Sequence, residues 1–339
     1  MQTMKFDWND VSIVPEALST IASRKEIDPF YDGKLPLFTA PMDKVIDDTN
    51  VDHFVNNNIN ICLPRHVKYN GNDNYFYSYS LDDVINMLQT GEKFPKKVLI
   101  DVANGHMMKL YETSKLIKEK FGSDIELMVG NIANPDTYRE YCKIGVDYIR
   151  VGIGGGSACT TSANVSIHYP MASLVHECSL IKCAFENPTK IVADGGFKNF
   201  SDIIKALALG ADYVMLGGMF NKSLESCGET FMKDSQDQYY EVDMNRAKVA
   251  FQAGMSVYKY YRGMSTKEVQ KSWNRNELKT GEGITKYNKV DHTLAGWCEN
   301  FTDYLKSAMS YTNSRNLEEF IGEVRYEMIT QNSFNRFNK

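Results

Sequence analysis

The chain has 339 residues, 43% hydrophobic and 24% charged, which is the usage of a packed globular protein rather than a disordered or fibrous one. Lys and Arg number 38 against 43 Asp and Glu, a net charge of −5 without long blocks of one sign, so a nucleic-acid partner is not expected. A small phosphorylated ligand stays open, because backbone N–H groups can hold phosphate without net positive charge.

The N-terminal Met1-Gln-Thr-Met-Lys-Phe-Asp-Trp lacks the apolar core of a signal peptide. No run approaches the roughly 18 apolar residues of a membrane span, so no membrane partner is expected. Seven cysteines, odd in number and without a C-x-x-C pair, suit reduced thiols, and the expected location is the cytoplasm.

In chain order, Leu35-Pro-Leu-Phe-Thr-Ala-Pro-Met-Asp and Ile59-Asn-Ile-Cys-Leu-Pro are the first strand candidates. Short apolar segments starting at Val98, Glu126, Tyr148, Lys190 and Tyr213 follow, each ending in small or polar residues, as buried parallel strands do. Between them lie helical stretches from Met107 to Phe121, Pro135 to Ile144 and Phe200 to Leu209, the last with Gly210 as a stop. This alternation fits a doubly wound sheet or a (β/α)₈ barrel. The barrel is favoured because glycine and polar residues gather at the C-terminal ends of the strands, where barrel sites are built.

Counting Tyr258-Lys-Tyr-Tyr-Arg-Gly-Met as a further strand brings the total near a full barrel. Aromatic clusters such as Tyr75-Phe-Tyr-Ser-Tyr read as packing or a subunit interface. From about 265 to 291 the pattern turns polar, the signature of a long active-site flap. Leu294 to Met309 and Asn316 to Met328 read as closing helices. The expected organisation is one α/β domain, a TIM barrel over 1–339 with the flap inside it.

The most informative segment is Arg150-Val-Gly-Ile-Gly-Gly-Gly-Ser-Ala-Cys-Thr-Thr, a strand running into a glycine-rich turn. Four glycines in positions 152–156 let the backbone approach a ligand closely and leave its N–H and C=O groups available. Cys159 is presented beside that turn, where a thiolate can act as nucleophile. Asp194-Gly195-Gly196 and Leu216-Gly217-Gly218 end the next two strands, an acid that can accept ribose hydroxyls and two turns that can receive a phosphate. None of the six histidines is expected to be catalytic, although His66 and His106 follow strand ends.

Taken together, Val151-Gly-Ile-Gly-Gly-Gly-Ser-Ala-Cys-Thr-Thr, Ile191-Val-Ala-Asp-Gly-Gly, Ala206 to Met219 and Tyr261-Arg-Gly-Met-Ser resemble the IMP dehydrogenase and GMP reductase family, over roughly residues 5 to 310. Phe6-Asp-Trp-Asn-Asp-Val, Ala40-Pro-Met-Asp and Asp101-Val-Ala-Asn-Gly-His add to it. The resemblance implies a TIM barrel assembled as a homotetramer. Asp43 to Val98 leaves no room for the regulatory CBS insert that dehydrogenases carry, which looks more like the reductase branch. The flap has Arg275-Asn276 in place of the dehydrogenases' water-activating Arg-Tyr, and Glu282-Gly283 matches the reductase pattern.

For the reductase branch, the resemblance implies NADPH-dependent conversion of GMP to IMP and ammonia, with Cys159 as nucleophile and Thr161 and Glu282 as proton relay. It assigns Ser157, Gly196, Gly217 and Gly218 to the phosphate, Asp194 to the ribose, and Met264 with Ser265 to the base. Arg65 and Asp101 fall where the family contacts the cofactor, Arg65 replacing a more usual lysine. Gly154, Gly156 and Cys159 match carbonyls that hold a monovalent cation, K⁺, as metal. Four departures stand out: Ser162 for arginine, Gly155 for proline, and Lys279 and Gly281 for arginine and serine near the base. IMP oxidation and silent binding of a purine nucleotide monophosphate are the alternatives.

Overall fold

The computed structural model of the protein describes residues 4–158, 160–264, 266 and 283–337. Eight parallel strands form one sheet: β1 (Leu37–Thr39), β2 (Cys62–Leu63), β3 (Phe76–Tyr79), β4 (Lys97–Asp101), β5 (Glu126–Ile132), β6 (Tyr148–Val151), β7 (Lys190–Asp194) and β8 (Tyr213–Leu216). Each pairs with its neighbour in sequence from β2 to β8, and β8 returns to β1 with Val214 opposite Leu37. The last seam is a bridge between Phe38 and Asn60, whose N–H groups and carbonyls link residues 37–39 to 60 at 3.0 Å. Closure removes the sheet edges, as in a (β/α)₈ barrel.

Helices α1 (Val51–Val55), α2 (Leu81–Thr90), α3 (Met108–Phe121), α4 (Pro135–Lys143), α5 (Met171–Lys182), α6 (Phe200–Ala208) and α7 (Leu294–Tyr311) accompany the strands. Their ends follow local chemistry. Ser80 and Asp83 form a reciprocal capping box on α2, and Gly91 closes it in the left-handed conformation. Asn134 caps α4, whose first residue is Pro135, and Asn199 caps α6 through the Asp202 N–H. Gly210, the expected stop after α6, takes φ +108°, and a Cβ there would lie 2.0 Å from Ser179 Oγ.

Three expectations are corrected. Tyr258–Arg262 is not a barrel strand; it belongs to a separate antiparallel sheet inserted between β8 and α7. The missing barrel strand is β3, which the Tyr75-Phe-Tyr-Ser-Tyr cluster builds: continuous aromatic character hid the strand, and Phe76 and Tyr77 are fully packed. The stretch from Asn316 to Met328 is not one helix. It holds a helical turn, Leu317–Phe320, and then a strand, Tyr326–Met328, which pairs antiparallel with Val11–Ile13 near the N-terminus. Gly322, at φ +75°, separates the two.

The inserted sheet contains β9 (Thr230–Lys233), β10 (Tyr239–Glu241), β11 (Tyr258–Arg262) and β12 (Thr285–Lys289), in the order β10-β9-β11-β12. It packs on its own apolar cluster of Leu224, Met232, Val242, Ala247, Ala250, Val257 and Val290. Of the expected flap, β12 is therefore regular structure, while 265 and 267–282 lie outside the described residues.

Side-chain alternation divides the barrel. Outward residues such as Ile100, Ile149 and Ile191 pack beneath the helices, and inward residues fill the interior with Phe38, Phe76, Leu99, Met128, Val192, Tyr213 and Met215. Two residues further along their strands, Leu99, Tyr148 and Val192 are succeeded on the inward face by Asp101, Arg150 and Asp194. The top interior layer is thus charged. Gly130 makes room for it, since a Cβ there would stand 2.5 Å from that of Arg150.

Candidate active site

Arg150 is 7% exposed, a charge that can be buried only with partners. It donates from Nη1 to Asp101 Oδ1 at 2.6 Å, and from Nη2 and Nε to Asp194 Oδ2 at 2.8 and 3.2 Å. Arg65 Nε donates to the other Asp101 oxygen at 3.2 Å, and its Nη2 to the Asp101 carbonyl. Burial favours loss of charge on Asp101 and Arg150 alike, but the opposite charges outweigh it: the Asp101 carboxyl is held below its usual range and the Arg150 guanidinium is raised above its own. Asn131 Nδ2 also donates to Asp194 Oδ2 and to the Gly152 carbonyl, both at 2.8 Å. Three of these bonds converge on Oδ2 of Asp194, and Asp194 also lines the cavity described next.

Above this layer lies a cavity of about 310 Å³ at the C-terminal ends of β6, β7 and β8. Ser157, Asp194, Gly196, Gly217 and Gly218 all line it, together with Gly155, Gly156 and Gly195. The glycines are demanded by close approach. A Cβ on Gly152, at φ +132°, would meet the Asp194 carbonyl at 2.2 Å, and one on Gly195 would meet the Gly156 nitrogen at 3.1 Å, so the two glycine turns lie face to face. A Cβ on Gly218 would stand 2.7 Å from Ser157 Oγ. From the N-terminal segment, Trp8 stacks on Phe197 at 5.6 Å and buttresses the Gly196 turn.

The inserted sheet closes the cavity from outside. Tyr261 and Lys286 are direct partners across β11 and β12, and alternation gives Lys286 and Asn288 to the cavity side while Tyr287 packs on Phe231 and Tyr239. The Tyr261 hydroxyl lies 3.2 Å from where a Gly217 side chain would begin. Lys286 Nζ donates to the Ser157 carbonyl at 3.2 Å, and the Ile284 N–H to that of Ala158 at 3.0 Å, so β12 is tied to the glycine-rich loop.

The remaining candidates distribute as follows. Thr161 opens the helical turn Thr161–Val165, whose Thr160 carbonyl accepts the Asn164 N–H at 2.9 Å. Gly154, at φ +82°, has its carbonyl accepting Ser162 Oγ at 3.2 Å, and Gly156 lines the cavity. Met264 is half-buried in the turn after β11, apart from the cavity lining. Arg65 and Asp101 are linked to Asp194 through Arg150. Cys159, Ser265 and Glu282 lie outside the described residues.

Sequence reasoning gave no role to Arg150, Tyr261, Lys222 or Lys286. Arg150 carried a legible signal, a charge inside an apolar strand. The lysines carried none, because only the fold brings them to the cavity. His106 bridges loops, its Nε2 accepting the Ala133 N–H at 3.0 Å and its Nδ1 lying 2.9 Å from Thr137 Oγ1. Among the described cysteines, burial pushes Cys62, Cys178 and Cys227 well above the usual thiol range and Cys298 up to about 12, so they are poor nucleophiles.

The description of the IMP dehydrogenase / GMP reductase domain matches residues 92–336. An inosine-5'-monophosphate dehydrogenase of Chlorobaculum parvum is 33% identical over 234 residues, 69% of this chain but 45% of that protein. A GMP reductase of Lactobacillus delbrueckii subsp. bulgaricus is 29% identical over 349 residues, 97% of this chain and 96% of the relative. Human GMP reductase 1 is 29% identical over 287 residues, 77% of this chain and 82% of its own length. The chain spans about half the length of the dehydrogenases it matches. By this match over most of its length, the chain belongs to the IMP dehydrogenase / GMP reductase family.

Proposed function

We propose that the protein is a GMP reductase, a single barrel domain that converts GMP to IMP and ammonia with NADPH. The observation that carries the reading is the convergence of Ser157, Asp194, Gly196, Gly217 and Gly218 on one cavity beside the loop that bears Cys159. The choice of reductase over dehydrogenase is supported by the near end-to-end match to the Lactobacillus reductase.

In this reading the glycine turns and Ser157 hold the 5′-phosphate, and Asp194, fixed by Arg150 and Asn131, accepts the ribose hydroxyls. Met264 and Ser265 contact the base. Cys159 as thiolate attacks C2 of the purine, and the exocyclic amine leaves as ammonia, giving a thioimidate. Thr161 and Glu282 deliver the protons that make the amine a leaving group. NADPH, beside Arg65 and Asp101, would supply the hydride that C2 receives, and the thiolate of Cys159 would then leave C2 to release IMP.

The residues assigned to the cofactor fit it unequally. Arg65 is only partly buried, whereas both carboxylate oxygens of Asp101 are engaged by arginines, so Asp101 acts by holding Arg65 in place. For the cation reading, the Gly154 carbonyl already accepts one hydrogen bond from Ser162, which leaves one lone pair for K⁺. The proposed setting is a cytoplasmic homotetramer with an active-site flap over about 265–291.

The test is loss of reduced-nicotinamide absorbance with GMP and NADPH, with IMP and ammonia as products. Reduction of NAD⁺ by IMP, with no turnover of GMP, would refute it. Cys159→Ala abolishes turnover and retains GMP binding; equal rates in K⁺ and Na⁺ would remove the cation.

A further inference from the structure

We infer that Lys286, with Lys222 beside it, is a side-chain ligand for a phosphomonoester dianion and makes the cavity select a nucleoside 5′-phosphate over the bare nucleoside. The inference rests on reading the cavity as a nucleotide site, and it concerns a part of that site that neither the glycine turns nor the ribose acid supplies.

Two ammonium-bearing residues, Lys222 and Lys286, line the cavity together with the glycine turns. Lys222 follows the helical turn Gly218–Asn221 that the second diglycine opens, and Lys286 comes from β12. They reach the cavity from different elements, so no local sequence pattern places them together. Lys222 is paired with Asp291 at 3.0 Å. Lys286 is half-buried above the Tyr261 ring, 5.5 Å from its centroid, and donates to a neutral carbonyl, that of Ser157. Among the described residues it forms no salt bridge. Burial, and then the charge of Lys222, push the Lys286 ammonium below its usual range, the opposite of what an ion-paired surface lysine experiences.

Placing two cations in one electrostatic neighbourhood, one of them partly desolvated and without a counter-ion among the described residues, is unfavourable and is relieved when an anion enters. The position of that anion follows from the surroundings. Lys286 Nζ already touches the Ser157 carbonyl, Ser157 Oγ is 2.7 Å from where a Gly218 side chain would start, and the Tyr261 hydroxyl stands over Gly217. A phosphate between the glycine turns and β12 therefore meets hydroxyls on two sides and the ammonium on a third. Lys198, also at the cavity, is exposed and is not needed for the argument.

The experiment is calorimetric titration of the full-length wild type, Lys286→Met and Lys286→Arg with GMP, guanosine and inorganic phosphate, each at low and high salt. A charge-assisted contact of this kind is worth about a tenfold change in affinity or more. Lys286→Met should weaken GMP and inorganic phosphate by about that factor, flatten their salt dependence, and leave guanosine unchanged, with Lys286→Arg restoring most of the loss. Equal GMP affinity and salt dependence in wild type and Lys286→Met would overturn the inference. So would a parallel loss of GMP and guanosine, which would mark Lys286 as a strut for the Ser157 loop. Where guanosine binds too weakly to measure, the phosphate titration decides. A wild type that binds phosphate through Lys286 but not GMP would overturn the nucleotide reading and leave the anion site standing; binding of neither would end both.

Discussion

Arg150→Met is the most searching test of how the barrel interior holds its charged layer. The substitution keeps much of the side-chain volume but strips Asp101 and Asp194 of three hydrogen bonds at 2.6 to 3.2 Å and of the positive charge between them. Removing one partner from a buried ion pair costs about 3–5 kcal/mol. With an unfolding entropy of about 2.1 cal/mol/K per residue, 4 kcal/mol corresponds to a fall in Tm of roughly 6 °C for a chain of this length. The pH dependence supplies the sign. In the wild type Asp101 titrates below its ordinary 3.8, so its contribution is present above that value and is lost as pH falls through the lower folded value. In the variant, burial remains and one of the two neighbouring cations is gone, so the folded value rises and the contribution present at neutral pH shrinks. The gap between wild type and Arg150→Met should therefore narrow from about pH 7 to about pH 3, and Asp101→Asn added to Arg150→Met should recover part of the loss. Thermal unfolding at both pH values measures it. A gap below about 1 kcal/mol, or one independent of pH, would refute the idea that this ion network is electrostatically coupled.

Three further outcomes follow from particular contacts. Gly152→Ala puts a Cβ 2.2 Å from a backbone carbonyl at φ +132°, whereas Gly254→Ala at φ +76° meets nothing within 4 Å; the second should cost about 1 kcal/mol and the first clearly more, as denaturant titration can establish. His292 is half-buried, its enclosed Nε2 has no hydrogen-bond partner among the described residues, and burial lowers its pKa from 6.5 to about 4. Its folded value lies below the unfolded one, so its contribution is complete above 6.5 and is lost as pH falls toward 4, by roughly 3 kcal/mol; His292→Leu should flatten that limb of the stability curve, and an unchanged curve would contradict the assignment. Alkylation of the native protein read by mass spectrometry should label exposed Cys183 and spare Cys62, Cys178 and Cys298, and rapid labelling of the buried three would contradict the packing.

Much of the barrel was legible because buried parallel strands and their helices follow strong local rules. Val98, Glu126, Tyr148, Lys190 and Tyr213 each begin or adjoin a strand whose apolar run ends in a polar or glycine turn, and Pro135 and Gly210 mark a helix start and a helix stop. The glycine-rich turn, Asp194 and both diglycines were visible for the same reason: no other residue tolerates those approaches. Misreadings arose where one pattern serves two environments. Phe76–Tyr79 and Tyr258–Arg262 are both aromatic-rich strands, and nothing local tells a barrel strand from one in an inserted antiparallel sheet.

What the sequence determined by itself was the set of groups able to do chemistry, since strand alternation and glycine geometry depend on near neighbours. What only the tertiary structure decided was which groups share a space. The Asp101–Arg150–Asp194 chain exists because three strands of a closed barrel point alternate residues at one interior layer. Lys222 and Lys286, separated by 64 positions, meet at one cavity because β12 pairs back onto β11 above the β8 turn. Such convergence depends on long-range closure, where the interaction energy is set by distance in space rather than along the chain.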